Sequence, residues 1–178
     1  MNYLTVTVFL ALGATLSTAA SLQNLYDALE TGDPFWMVVR TYKRPPTGQQ
    51  NTCVRSRKIT LKPDYYEFDQ EYKKPDGTLN TERFYATIAH GPGEEPMLDV
   101  SERYGETGTK YTLRHWDPIE HCGILTLDIS GTMHCEMYVW EKYLKDSGVG
   151  YACEKELDSI CHEKEKHPVY TPSCRARE

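Results

Sequence analysis

Between residues 35 and 143 the chain is broken at short, regular intervals by residues that turn a backbone. The breaks are Pro45-Pro46-Thr47-Gly48, Lys62-Pro63-Asp64, Pro75-Asp76-Gly77, Gly91-Pro92-Gly93, Gly105 to Gly108, and Ser130-Gly131. Proline presets φ, glycine accepts positive φ, and Asp and Ser bond their own backbone, so such clusters end strands and reverse the chain. The stretches between them are rich in Tyr, Thr, Val and Ile, which suit a pleated surface. Strands are predicted near 35–42, 53–61, 65–72, 79–89, 96–104, 110–117, 122–129 and 134–143. That many strands with hairpin-length connections form a closed up-and-down barrel or a sandwich, and closure removes exposed sheet edges.

Helical spacing flanks this region. In SLQNLYDALE, Leu22, Leu25, Tyr26 and Leu29 share one face, and Asp33-Pro34 stops the helix. In GVGYACEKELDSICHEK, Cys153, Leu157, Ile160 and Cys161 form a stripe, with Glu154, Lys155, Asp158 and Glu163 around the other side. A helix with two cysteines on its buried face can be bolted to a barrel wall. The extended piece VYTPSC follows near the end.

The first twenty residues carry no charged side chain and end in small residues, with Thr18 and Ala20 placed as at a cleavage site. The apolar run is short for a membrane span, and polar sequence follows. Residues 1–20 read as a secretory signal peptide, leaving a single domain over 21–178 that is soluble, secreted and extracellular. The formal charge of −6 argues against nucleic acid and against anionic membrane surfaces as partners.

All six cysteines lie beyond the signal. In an oxidising compartment an even count implies disulfides, with the connectivity open at this level. A metal site is the rival, since His121, His134 and His162 each adjoin a cysteine, but no C-x2-C pair occurs. Neither a metal nor a cofactor is expected. Nucleophile elbow, P-loop, dinucleotide fingerprint and zinc-protease motifs are all absent, so the reading is a non-enzymatic binding protein.

One stretch bears on what is bound. In HCEMYVWEKY a strand places Glu136, Tyr138 and Trp140 on one face and Cys135, Met137 and Val139 on the other. A carboxylate beside aromatic rings suits an ammonium or imidazolium, through a charge-assisted hydrogen bond and cation–π contact.

These segments, in order, resemble the salivary lipocalins of ticks, the family that includes histamine- and serotonin-binding proteins. FWMVVRTYK looks like the family's first strand, which ends in T-Y, and NTCV and HCGIL look like its first two cysteine segments. CEMYVW is similar to its C-E-L-W-V strand, CEKELDSIC fits C-x3-F-x3-C with Leu157 in the aromatic's place, and VYTPSC resembles its terminus. Residues 62–110 show little similarity.

The resemblance implies an all-β fold: an eight-stranded antiparallel lipocalin-like barrel with a short N-terminal helix and a C-terminal helix packed on it. It implies the pairs Cys53–Cys174 and Cys122–Cys153. It leaves Cys135–Cys161, two cysteines that simpler members lack together. Glu136 and Tyr138 match residues that enter the cavity of amine-binding members, and Tyr42 matches a cavity tyrosine. Trp36 and Arg40 share strand parity with Tyr42, and Tyr111 completes the candidate ligand-binding set. Pro45, Leu113 and Gly123 stand where amine-binding relatives carry carboxylates, so the cavity is expected to be more apolar and less acidic. The implied function is sequestration of a small host mediator, by default histamine or serotonin, which dampens host defence. The alternatives are a lipid or sterol ligand, with Arg40 meeting a carboxylate, and a host immune protein engaged by the outer surface.

Overall fold

The computed structural model describes residues 19–43, 50–162 and 164–175. The expected signal peptide, apart from residues 19 and 20, lies outside them. The chain proper begins at helix α1, Leu22–Leu29. The Ser21 hydroxyl accepts from the Asn24 amide at 3.2 Å, and Asn24 Oδ1 accepts from the Ser21 amide at 2.9 Å. This reciprocal cap satisfies amides that the first turn leaves free. Of the predicted face Leu25 and Leu29 are buried and Leu22 and Tyr26 half-buried, and Ala28 is buried beside them.

Eight strands follow: β1 Phe35–Arg40, β2 Thr52–Lys62, β3 Tyr65–Lys73, β4 Leu79–His90, β5 Pro96–Ser101, β6 Thr109–Asp117, β7 Cys122–Ile129 and β8 Thr132–Trp140. Each pairs antiparallel with the next, and β8 pairs with β1. The sheet closes where β1 meets β2, with Phe35 opposite Ser56 and Trp36 opposite Arg55. The result is a closed eight-stranded antiparallel barrel.

Three predicted strands are longer than those formed. β8 ends at Trp140, and Glu141–Tyr143 coil into a 3-10 turn as the Glu141 amide bonds the Pro34 carbonyl at 2.9 Å. β5 ends at Ser101, where the chain folds back. β1 ends at Arg40, and Thr41 extends its pairing with a side chain: the Thr41 hydroxyl accepts from the Cys135 amide at 2.9 Å.

Alternation along the strands builds two cores. Phe35, Met37, Tyr66, Phe68, Leu113, Trp116 and Tyr138 point inward, and α1 closes one barrel end against them. The Trp140 indole donates to the Ala28 carbonyl at 2.9 Å, and Lys58 pairs with Glu30 at 3.0 Å, fixing the helix there. Trp36, Val38, Ile124, Met137 and Val139 point outward and are covered by the C-terminal segment.

That segment carries helix α2, Glu154–Ile160, and a two-residue strand β9, His167–Pro168, which pairs with the outer half of β1. Three disulfides hold it: Cys53–Cys174, Cys122–Cys153 and Cys135–Cys161, with Cα separations of 5.2, 6.1 and 6.2 Å. The first two are the pairs that the family resemblance implies, and the third joins the two cysteines it leaves over. Cys153 and Cys161 flank α2, so one bridge ties its start to β7 and another its end to β8. Leu157 between them is fully buried, a contribution of about 2 kcal/mol.

Candidate functional site, a carboxylate among tyrosines

Glu136 sits on the inward face of β8 and is 0% exposed. A lone ionised carboxylate is costly in such surroundings unless hydrogen bonds compensate it. Tyr42 donates to its Oε1, and Tyr138 donates to its Oε2 at 2.7 Å. Burial, and then the Glu136 charge, push the Tyr138 hydroxyl well above its ordinary pKa. Tyr138 therefore stays protonated at neutral pH and remains a donor.

Arg40 stands across the β1–β8 ladder from Glu136 and is 1% exposed. Its guanidinium lies 5.3 Å from the Tyr42 ring centroid and donates to Gln50 Oε1 at 2.5 Å and to the Asn51 carbonyl at 3.3 Å. The Tyr42 ring thus borders the buried cation while its hydroxyl bonds the buried anion. His134 flanks the group, its ring 5.6 Å from that of Tyr42.

Tyr138 also lines a cavity inside the barrel, together with Leu29, Phe35, Ser56, Tyr66, Phe68, Gln70, Phe84, Leu98, Val100, Tyr111 and Leu125. The space open to the centre of a water molecule is about 70 Å³. At about 10–15 Å³ for each water, that holds on the order of five waters. The walls are mainly apolar and aromatic, with Ser56, Gln70 and the tyrosine hydroxyls as polar points.

Of the predicted ligand residues, Tyr42, Arg40, Glu136 and Tyr138 come together, and Tyr111 joins Tyr138 on the cavity wall. Trp36 does not. It faces out of the barrel, 5.3 Å from the Tyr170 ring, with the Arg55 guanidinium 5.1 Å from its own. The expected shared parity of Trp36 and Arg40 fails because the β1–β8 register shifts between Met37 and Val39, and the residue taken up there reverses the alternation. Arg40 is thereby turned inward while Trp36 stays outside.

The positions expected to have lost carboxylates divide similarly. Leu113 is buried in the inner core. At Gly123 an added Cβ would come within 3.1 Å of the Trp116 ring and 3.2 Å of the His115 carbonyl, so Trp116 fills that space. Pro45 lies outside the described residues.

Sequence reasoning missed the walls contributed by β3, β4 and β5, namely Tyr66, Phe68, Gln70, Phe84, Leu98 and Val100. The alternation 66, 68, 70 is visible, but the opposite face offers Tyr65, Glu67 and Asp69, so the pattern leaves open which face is inward.

Among the described residues, no group of three or more His, Cys, Asp or Glu is placed to hold a metal ion. No helix among them is long and apolar enough to cross a membrane.

Solved structures share this architecture. Japanin from Rhipicephalus appendiculatus, solved bound to cholesterol, superposes with a TM-score of 0.56 at 16% identity, covering 80% of this chain and 94% of its own. The cockroach allergen Per a 4 gives 0.56 at 11% identity over 84% and 89% of the two chains. H1 crustacyanin from the lobster Homarus americanus gives 0.51 at 11% identity over 85% and 86%. At such identities the likeness is one of fold. Among curated proteins, none matches the chain in sequence. The sequence model of the tick histamine binding proteins matches residues 14–176, nearly the whole chain. With the barrel, its helices and its bridges in place, the chain belongs to the tick histamine binding protein family.

Proposed function

We propose that this protein is a secreted salivary carrier that captures a small host amine, histamine or serotonin in kind, inside its barrel. It acts by stoichiometric binding, with no turnover. The observation that carries this reading is Glu136, a fully buried carboxylate whose bonded tyrosine lines the cavity. A carboxylate meets an ammonium or imidazolium through a charge-assisted hydrogen bond. Aromatic walls add cation–π attraction once water is excluded.

Apolar lining and the cholesterol carried by Japanin favour a second reading, a sterol or lipid ligand. Size favours the first. Drug-sized ligands occupy pockets of about 300–1,000 Å³. The 70 Å³ present here is nearer to what a compact amine needs than to what a sterol needs.

Calorimetric titration of histamine and serotonin into delipidated protein tests the proposal, with wild type and Glu136→Gln run side by side. We expect saturable binding that weakens at least tenfold in Glu136→Gln. Absence of heat for both amines, with a lipid extracted from the native protein, would overturn it.

A further inference from the structure

A second recess lies on the outside of the barrel, an open groove of about 540 Å³ across β2 to β5. Apart from Ala86, its strand residues come from the outward faces, since Glu67 is opposite Tyr85 while the neighbouring Tyr66 and Phe68 are buried in the inner core. Three tyrosine rings meet there. Tyr104 stands edge-on to Tyr65 at 5.5 Å and to Tyr85 at 6.0 Å between centroids.

Tyr104 is 73% exposed, so a large aromatic ring is held out in water beside the groove. The β5–β6 loop that carries it is folded back onto β5 and fastened. The Ser101 hydroxyl donates to the Arg103 carbonyl at 2.5 Å, and the Gly108 amide donates to Asp99 at 2.7 Å. A Cβ at Gly108 would lie 1.9 Å from the Val100 carbonyl oxygen, so only glycine permits this return. The loop position is therefore specified by the sequence.

Charge defines what the groove takes. Its lining carries three carboxylates, Asp64, Glu67 and Glu106, and one ammonium, Lys62, and the Arg83 and Arg103 guanidiniums pair with two of the carboxylates from beside it. Glu67 is held by Arg83 at 2.5 Å and accepts from the Tyr65 hydroxyl at 3.1 Å, which fixes it beside the rings. Glu106 lies 3.6 Å from Arg103 on the exposed loop, where screening leaves it available. Aromatic faces present negative potential, and carboxylates around them add to it.

We propose that this outer groove is a second binding site, for a small organic cation seated against Tyr65, Tyr85 and Tyr104 and balanced by Asp64, Glu67 and Glu106. It is separate from the barrel interior and does not depend on Glu136.

Benzyltrimethylammonium is the probe, because it is bulky for the inner cavity and donates no N–H hydrogen bond. Its titration into the intact protein, followed by NMR, is expected to saturate in the millimolar range. Tyr104→Ala should weaken it by about three- to tenfold, and Tyr104→Phe should retain it, since the ring face carries the attraction. Gly108→Ala should weaken it by displacing the loop while every ring remains. Glu136→Gln should leave it unchanged, which separates this site from the amine reading of the interior. Failure to saturate, equal binding of neutral benzyl alcohol, or loss in Glu136→Gln with retention in Tyr104→Ala would each overturn the proposal.

Discussion

Tyr42 and Glu136 lie 94 positions apart in the chain and share a hydrogen bond inside the barrel. The bond joins the segment just beyond β1 to β8, the last strand of the barrel. It makes the occupied state of the carboxylate a property of barrel closure, because Tyr42 reaches Glu136 only when β1 and β8 are in register.

Tyr42→Phe and Tyr138→Phe should each lower stability by about 1.5–3 kcal/mol, the usual value of a hydrogen bond to a charged group. The double variant should depart from the sum, since both hydroxyls serve one carboxylate. Urea unfolding of the two single variants and the double variant measures that coupling.

Loss of the bridges should be graded by the chain they close. The Cys135–Cys161 pair spans 26 residues and Cys53–Cys174 spans 121. The chain-entropy relation gives about 3.5 kcal/mol for the first and about 5 kcal/mol for the second. Paired Cys→Ala variants unfolded in denaturant should show the longer closure costing more, and equal losses would contradict the entropic account.

His121 sets a pH dependence. Its ring is stacked 4.1 Å from Trp140 and lies tilted 4.3 Å from Tyr143, and its Nδ1 is buried without a partner. Burial lowers its pKa below the ordinary 6.5, with Lys142 adding to the fall and Asp117 opposing it. The unfolded chain then takes up the proton first, so the stability is present above pH 6.5 and lost as pH falls from there through the folded value. Denaturant midpoints at about pH 7.5 and 5.5 should differ in wild type. The difference should shrink in His121→Asn, since Asn tolerates the positive φ of 46° at this site.

Gly123→Ala should cost about 1–3 kcal/mol by overpacking. Its new methyl meets the Trp116 ring, which can shift, and the His115 carbonyl, which cannot. A lowered melting temperature together with altered tryptophan fluorescence would report both contacts.

Turn chemistry made the strands legible, because Pro, Gly and Asp act locally and the chain reverses where they cluster. Helix α1 was legible from the spacing of Leu22, Leu25 and Leu29. The two faces of β8 were legible from alternation, but which of them is inward came only from the family resemblance. The facing of Trp36 was not, because one added residue at Val38 reverses the count and both faces of β1 are apolar. Nor were the walls from β3 to β5, where aromatic residues occur on both faces. In each case the deciding fact is a partner strand far away in sequence.

All six cysteines lie on the outer side of the wall or in the tail that covers it, and none reaches the cavity. Mechanical strength and chemical selectivity thus occupy opposite surfaces of the same strands. A residue facing inward can be exchanged at some cost to packing while the covalent frame remains fastened from outside. Such a vessel can be relined for a new cargo without redesign of its shell.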